Sequence, residues 1–414
     1  MTTRLSRFVA SQAPGSSLAR VLVVDDTAAG RDALSRQVEM EGYVADAAAQ
    51  GGEALEKLRA EPFDLVLVNV RSAAVGGPQL LEAVRSDAAL EHLAVIVVSP
   101  ADDVEVVTQC LELGADDYLP MASPPAILRA RLSAALAKRR VRAAESLARE
   151  MAVARNIQRD FLPESLPLAR GLQLEAALHP ARQVSGDFYD AFGLGPSGTI
   201  VLVVGDVCDK GVGAALFMAL FRSLIRASAD PVEGGAIQMI GGRRTLVRES
   251  LEAATPADLL TRVAGFTNNY IAKLHGRTNM FATVFLGALS PMTGQFDYVN
   301  AGHEPALVVA PDGGTRELRP TGTALGLLPD AEYTAGQAKL VRGESIFAFT
   351  DGLVEAPSPA GEAFGKQRLR DALRANNTSA ANLVRGVVAA LRAFTGPAEP
   401  HDDLTLLAAT RTID

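Results

Sequence analysis

The stretch 201-VLVVGDVCDKGVGAALFMA-219 passes from an apolar, β-branched run to an alanine- and leucine-rich one through a glycine-bounded turn. It reads as a strand ending at Gly205 and Asp206, a turn carrying Asp209, and a helix entered at Lys210 and Gly211. Three more aspartates stand in the same kind of setting: Asp187 in SGDFYD (185–190), Asp351 in FTDGLVEA (349–356) and Asp402 in HDDLTLL (401–407). Each abuts a strand-like run, so positions far apart in sequence converge on one edge of the central sheets. Carboxylates with almost no histidine or cysteine nearby are hard oxygen ligands, suited to magnesium or manganese rather than zinc. A pair of such ions supports attack of an activated water on a phosphoryl group, with no serine or cysteine nucleophile. Clustering carboxylates costs energy through repulsion and desolvation, which divalent cations relieve.

A chain of 414 residues, 48% of them hydrophobic, is long enough for two or more cores. Its net charge of -8 argues against nucleic acid as a partner. Cys110 and Cys208 both lie in apolar surroundings, so no disulfide framework is indicated and a reducing, cytoplasmic setting is expected. Residues 1–19 read as a flexible tail without an apolar signal core. No later stretch reads as a membrane span, since the run around Ile200 to Val204 is strand-sized.

Residues 20–125 alternate short strand runs (VLVV at 21–24, LVLV at 65–68, VIVV at 95–98) with helical patterns, the signature of a parallel sheet covered on both faces. Asp25 and Asp26 end the first strand, Ser99 ends the fourth, and GADDYLP spans 114–120. On these residues the segment resembles a response-regulator receiver domain, which implies an α/β flavodoxin-like fold. Two positions depart from the family. Asn69 stands where the phospho-accepting aspartate belongs, and Met121 where the lysine belongs. An amide is not a carboxylate nucleophile, and the missing ammonium would have paired with phosphoryl oxygens. The expectation is a degenerate receiver that takes its signal from a protein partner, a bound ligand or nothing, with Asp25 and Asp26 read as a solvated turn in preference to a magnesium site.

Residues 126–164 form the connector, and 126–161 lack glycine and proline. Leu128, Leu132 and Leu136, then Leu147, Met151, Ala154, Ile157 and Phe161, fall on one helical stripe. The stripe suits either a linker helix packed on the domain that follows it or a parallel coiled coil that dimerises the chain; KRRVR at 138–142 interrupts the seam.

Residues 165–414 mix strand runs with helices near 213–228 and 256–274, and TVFLGALSPMTGQFDYVNAG reads as a hairpin, so an α+β sandwich is expected. The ordered motifs ARNIQRDFLPESLP, PARQVSGDFYD, GDVCDKGVGAALFMA, NMFATVFLGAL, YVNAGHEP, TALGLLP, FTDGLVEA and HDDLTLL resemble the metal-dependent protein phosphatase (PPM) superfamily, in its SpoIIE and RsbU-like branch. That resemblance implies a serine/threonine phosphatase with two Mn2+ or Mg2+ ions. By it, Asp206 bridges both ions with the Val207 carbonyl, Asp351 and Asp402 hold one, and Asp187 supports the other. Asp403 and Asp190 are secondary candidates that orient waters or hydroxyls. The substrate implied is a phosphorylated anti-anti-sigma (STAS-type) regulator.

The remaining polar residues of these motifs carry competing readings. His303 suits a proton donor to the leaving alkoxide or, more simply, a buried structural histidine; Arg182 suits a phosphate contact or a salt bridge. Asp209 reads as a turn residue and Cys208 as a small packed one, while Lys210 and Gly211 open a helix N-terminus favourable to anions. Residues 231–250, glycine-rich and without clear periodicity, read as an insertion or mobile loop near the substrate side with no assigned role. Two rivals stand beside the phosphatase reading: a non-catalytic scaffold, against which the intact acidic set speaks, and a two-metal cyclic-nucleotide or nucleotide hydrolase, against which the absence of tryptophan, the few tyrosines and the lack of a basic groove in the sequence weigh.

Overall fold

The computed structural model describes residues 18–71, 76–100, 103–194, 198–229, 236–240, 243–247, 255–397 and 400–412, with 236–240 and 243–247 as backbone. The flexible tail expected over residues 1–19 therefore lies almost wholly outside the described residues. The chain divides into two compact units, Met1–Arg149 and Glu150–Asp414.

The front unit holds five parallel strands, β1 (Arg20–Val24), β2 (Val44–Ala48), β3 (Leu65–Asn69), β4 (Ala94–Ser99) and β5 (Asp117–Pro120), in the order β2-β1-β3-β4-β5. This is the expected doubly wound order. Helices α1 (Ala28–Met40), α2 (Gly51–Ala60), α3 (Gly77–Ser86) and α4 (Val104–Glu112) follow the first four strands, and α5 (Pro125–Phe161) follows the fifth. Because side chains alternate along a strand, β1 sends Leu22 and Val24 to a core shared with Leu80, Leu81 and Cys110, and Val21 and Val23 to the opposite face. There they meet Leu128, Leu132 and Leu136, all nearly inaccessible to solvent. The first part of the connector stripe is thus core of the receiver-like unit, a placement that neither reading of the stripe anticipated. The basic run has a purpose in the same place: Arg139 pairs with Asp64 at 2.7 Å, and Lys138 and Arg142 both reach Asp116. Farther along α5, Leu147, Val153 and Ile157 are 48%, 59% and 56% exposed, so this half of the helix leaves apolar side chains open.

The rear unit runs β6 (Leu172–His179), β7 (Asp187–Leu194), β8 (Thr199–Val207), α6 (Val212–Ala229), β9 (Ala236–Ile240), β10 (Arg243–Val247), α7 (Pro256–Leu274), β11 (Ala282–Leu289), β12 (Gln295–Ala301), β13 (Ala306–Val309), β14 (Thr315–Leu318), β15 (Gly336–Lys339), β16 (Ser345–Phe349), α8 (Gly365–Ala375), α9 (Ala380–Thr395) and β17 (Leu404–Arg411). Two five-stranded antiparallel sheets, β15-β12-β11-β8-β7 and β14-β13-β16-β17-β6, share a core through Leu202, Val204, Phe285, Ile346 and Leu407. The alternate residues of β8, Val201 and Val203, pack with Met218, Phe221, Leu260 and Val263 of α6 and α7. Those of β16 and β17, Phe347, Phe349 and Leu406, pack with α8 and α9 through Leu369, Leu383 and Val387. The result is the expected sandwich of helices, sheet, sheet and helices. A fully buried side chain such as Phe221 contributes about 2–3 kcal/mol.

Two expectations are corrected here. By length and composition α6 is apolar enough to cross a membrane, although no such segment was read in the sequence. Its place is the core: Ala214, Met218, Phe221 and Ile225 are buried against the sheet, and Arg222 is paired with a carboxylate. Within 231–250, read as a loop, AIQMI and RRTLV pair as an antiparallel hairpin, β9 with β10, because both carry β-branched or long side chains suited to a strand; the rest of that segment lies outside the described residues.

Candidate active site

Strands β7 and β8 pair so that Asp187 lies opposite Asp206. Their neighbours Phe188 and Val207 belong to the core under α6, so the two aspartates take the other face, toward the second sheet. Asp351 opens a 3-10 turn, Asp351–Leu353, at the end of β16, and Asp402 stands two residues before β17. Thr350 ties the two sheets together: its hydroxyl donates to Asp187 Oδ2 at 2.7 Å and accepts from the Thr405 N–H at 3.0 Å.

The acids feel one another. Burial, and next the charge of Asp206, push the Asp187 carboxyl well above the usual range. Asp206 is pushed up to about 7, first by burial and then by Asp351, with Asp402 and Asp403 adding to the effect. Asp351 is raised by burial, by Glu355 and by Asp402. One cation already answers this negative charge: Lys210 Nζ lies 2.8 Å from Asp402 Oδ2. Gly352 permits the close approach of these segments, for a Cβ there would overlap the carbonyl oxygen of Asp403 and press on the Asp402 side chain. Val207 places its carbonyl oxygen against Gly186.

Asp403 departs from its expected place among the metal ligands. Its Oδ1 accepts from Ala181 N at 2.7 Å, and its Oδ2 accepts from Ser185 Oγ at 2.9 Å and Gly186 N at 2.8 Å, so it tethers the segment leading into β7. Gln158 of α5 clamps the same segment, donating to Ser185 O at 2.7 Å and accepting from Ser185 N at 2.9 Å. Asp190 is corrected as well. Three residues beyond Asp187 on a strand, it must face the other way, and it pairs in the core with Arg222 at 3.0 Å and Arg226 at 3.2 Å.

Among the described residues, no three His, Cys, Asp or Glu side chains stand close enough to hold an ion as they are. The contacts explain this: Asp187 is turned to Thr350, Asp402 to Lys210 and Asp403 to the 181–186 segment. The donor set nonetheless fits a hard divalent cation, since it is all oxygen, carries unrelieved mutual repulsion, and has drawn an ammonium as counter-ion.

Other sequence candidates find their places. His303 is buried, receives the Thr283 hydroxyl contact at 2.8 Å on Nδ1 and donates its backbone N–H to Asn300. Burial lowers its pKa to about 4, so it is neutral at pH 7 and fits the structural reading. Arg182 is exposed, and the salt bridge offered for it is absent among the described residues. Asp209 has φ 73° and accepts from Lys210 N, shaping the turn, and Cys208 Sγ accepts from Phe281 N. Thr350, Ser185, Gln158 and the counter-ion role of Lys210 were not foreseen. A hydroxyl precedes two of the four acids, in S-G-D and T-D, and was the signal available for Ser185 and Thr350.

In the front unit, Asn69 Nδ2 donates to Asp25 Oδ2 at 2.7 Å, while Asp25 Oδ1 accepts from Thr27 N and Oγ1 at 2.8 and 2.7 Å. Ser99 Oγ donates to Asp103, which also pairs with Arg71 at 3.2 Å. The solvated turn expected of Asp25 and Asp26 holds for Asp26 only: Asp25 is buried by these contacts, while Asp26 and Met121 are exposed.

A family model described as stage II sporulation protein E (SpoIIE) matches residues 196–412, more than half of the chain. The chain belongs to the SpoIIE family. A second, response regulator receiver domain, matches 21–133 and covers the front unit's sheet. Protein IcfG of Synechocystis is 39% identical over 264 residues, 63% of this chain and 41% of IcfG; phosphoserine phosphatase RsbU of Bacillus subtilis is 27% identical over 267 residues, 64% of this chain and 70% of RsbU. The matched part therefore spans less than half the length of IcfG. Among solved structures, the SiaA-PP2C domain of Pseudomonas aeruginosa is 23% identical with a TM-score of 0.51, covering 66% of this chain and 99% of that one. That likeness concerns the fold, and it agrees with the sandwich built above.

Proposed function

We propose that this SpoIIE-family chain is a Mn2+- or Mg2+-dependent protein serine/threonine phosphatase, active in the cytoplasm on a phosphorylated STAS-type regulator of a partner-switching pathway. The observation that carries this reading is the set of acids from both sheets whose buried charges raise one another's pKa values at one end of the sandwich. RsbU, named a phosphoserine phosphatase, supports the reaction class.

Asp187, Asp206, Asp351 and Asp402, with the Val207 carbonyl, would hold two divalent ions. Ions bound there lower the pKa of water and neutralise phosphoryl oxygens. The side chains do the rest. Thr350 fixes the orientation of Asp187, Asp403 with Gln158 fixes the segment that delivers it, and Lys210 must release Asp402 for that carboxylate to serve. Arg182, exposed two residues before Val184, is free to bind a phosphate oxygen. The neutral His303 holds the strand end and donates no proton at pH 7.

The front unit we infer to be a receiver that does not accept a phosphoryl group. Asn69 supplies an amide in place of the nucleophilic carboxylate, and its donation to Asp25 occupies the oxygen that a metal would need. Its input is a protein partner, and the exposed half of α5 pairs two copies of the chain. The decisive assay is phosphate release from a phosphoserine peptide or p-nitrophenyl phosphate. Release that requires manganese and is lost in Asp206→Asn is expected; equal release by that variant refutes the proposal.

A further inference from the structure

Beside the acidic centre lies a cleft of about 550 Å³ whose wall includes Gly352 and Asp402. Its chemistry is opposite to that of its neighbour. Arg155 of α5, Arg392 in the last turn of α9, His179 at the end of β6 and His401 all line it. Arg155 and Arg392 are exposed, and neither guanidinium has a hydrogen-bond or ion-pair partner among the described residues. Elsewhere Arg139, Arg142, Arg222 and Arg226 are each paired with a carboxylate. Burial first, and the nearby Arg392 next, hold the His179 imidazole below its usual value; the positive charge of the cleft therefore comes from Arg155 and Arg392, and the one acid among its lining residues, Asp402, is already held by Lys210. Between these polar groups the lining is apolar, formed by the half-buried Val388 and the largely buried Leu391 of α9 together with Leu404.

Resting on the phosphatase reading, we propose that this cleft is the specificity subsite of the enzyme, taking the residues that flank the phosphorylated serine, with an acidic side chain on Arg155 and Arg392 and an aliphatic one on Val388 and Leu391. Three observations converge on this occupant. The cleft shares Asp402 and Gly352 with the acid set, so a chain whose phosphoserine reaches the acids passes through it. Its volume holds two or three side chains, within the range of ordinary ligand pockets. Its charge complements a carboxylate, and Arg recognises carboxylates through paired donors. A basic subsite also offsets the repulsion that an acidic substrate meets at the acid cluster, giving the chain of net charge -8 a local entry for anions.

The test uses the full chain with manganese and two phosphoserine peptides of equal length, one flanked on both sides by Leu and Glu, the other by Ser and Lys, with p-nitrophenyl phosphate as the substrate without flanks. The wild type should prefer the Leu/Glu peptide in kcat/KM by about tenfold or more, and Arg155→Ala with Arg392→Ala should erase the preference, chiefly through KM. Its loss on that peptide should exceed any loss on p-nitrophenyl phosphate by about tenfold. A preference that survives the double substitution, or equal losses on both substrates, overturns the subsite. Failure of the wild type to hydrolyse any substrate would refute the phosphatase reading instead. In that event fluorescence anisotropy with the labelled Leu/Glu peptide still decides, because binding that is equal in wild type and double variant overturns the cleft on its own.

Discussion

Replacing Asp206 by asparagine should abolish metal-dependent activity and at the same time stabilise the metal-free protein above neutral pH. Asp206 titrates near 7 in the folded chain, against 3.8 for an unperturbed carboxyl, through burial first and Asp351 next. A carboxyl whose folded pKa is raised holds its proton in the native state longer than in the unfolded one. Stability is therefore lost as pH climbs from the unfolded value to the folded one, between about pH 4 and 7, and stays lost above. A shift of this size corresponds to about 4 kcal/mol, or roughly 10 °C in the melting of a unit of this size. The neutral amide is nearly isosteric and removes that penalty. Melting of the metal-free full chain followed by calorimetry at pH 5 and pH 8 should show the rear unit of wild type falling with pH and the variant holding nearly level. Saturating manganese should recover the wild type at pH 8 and leave the variant unmoved. Identical pH slopes for the two metal-free proteins would refute the idea that this carboxylate is held against its neighbours' charge.

Asp190→Asn leaves Arg222 in the core without its counter-ion and should cost about 3–5 kcal/mol, read as a fall in urea midpoint, with the rear unit unfolding first. His303, lowered to about 4 by burial, favours folding fully above its unfolded value of 6.5 and loses that contribution as pH falls from 6.5 to 4; His303→Gln should flatten the acid limb of a stability profile by about 3 kcal/mol. Lys210→Met frees Asp402 from a half-exposed ion pair and should tighten manganese binding up to about fivefold by isothermal titration. Acetyl phosphate should leave the wild-type front unit unlabelled, and Asn69→Asp combined with Met121→Lys should restore acid- and base-labile incorporation.

Much of this arrangement was legible because strand parity and motif order are written into the chain. The run VLVVGD read as a strand that ends on Asp206, the apolar front strands read as a sheet covered on both faces, and their order 2-1-3-4-5 was implied by the receiver resemblance. What escaped were contacts made by groups with no periodic signature. Asp190 looked like a partner of Asp187 only while their opposite parity on β7 was ignored. Asp403 looked like a ligand because it adjoins Asp402, although adjacent strand-end residues point apart and its oxygens were claimed by N–H groups more than 200 positions earlier. The leucines of early α5 have the spacing of a seam, and spacing alone does not say whether the surface they meet is a second helix or the sheet just completed.

Gly352 sits with its α-carbon against the Asp403 carbonyl, leaving no room for even a methyl group. The wall it forms is shared by the acid cluster and the cationic cleft. Any mutational library aimed at redirecting this enzyme to new phosphoproteins should therefore return glycine alone at this codon, and the freedom to change selectivity lies on the far bank, along the outward turns of α9.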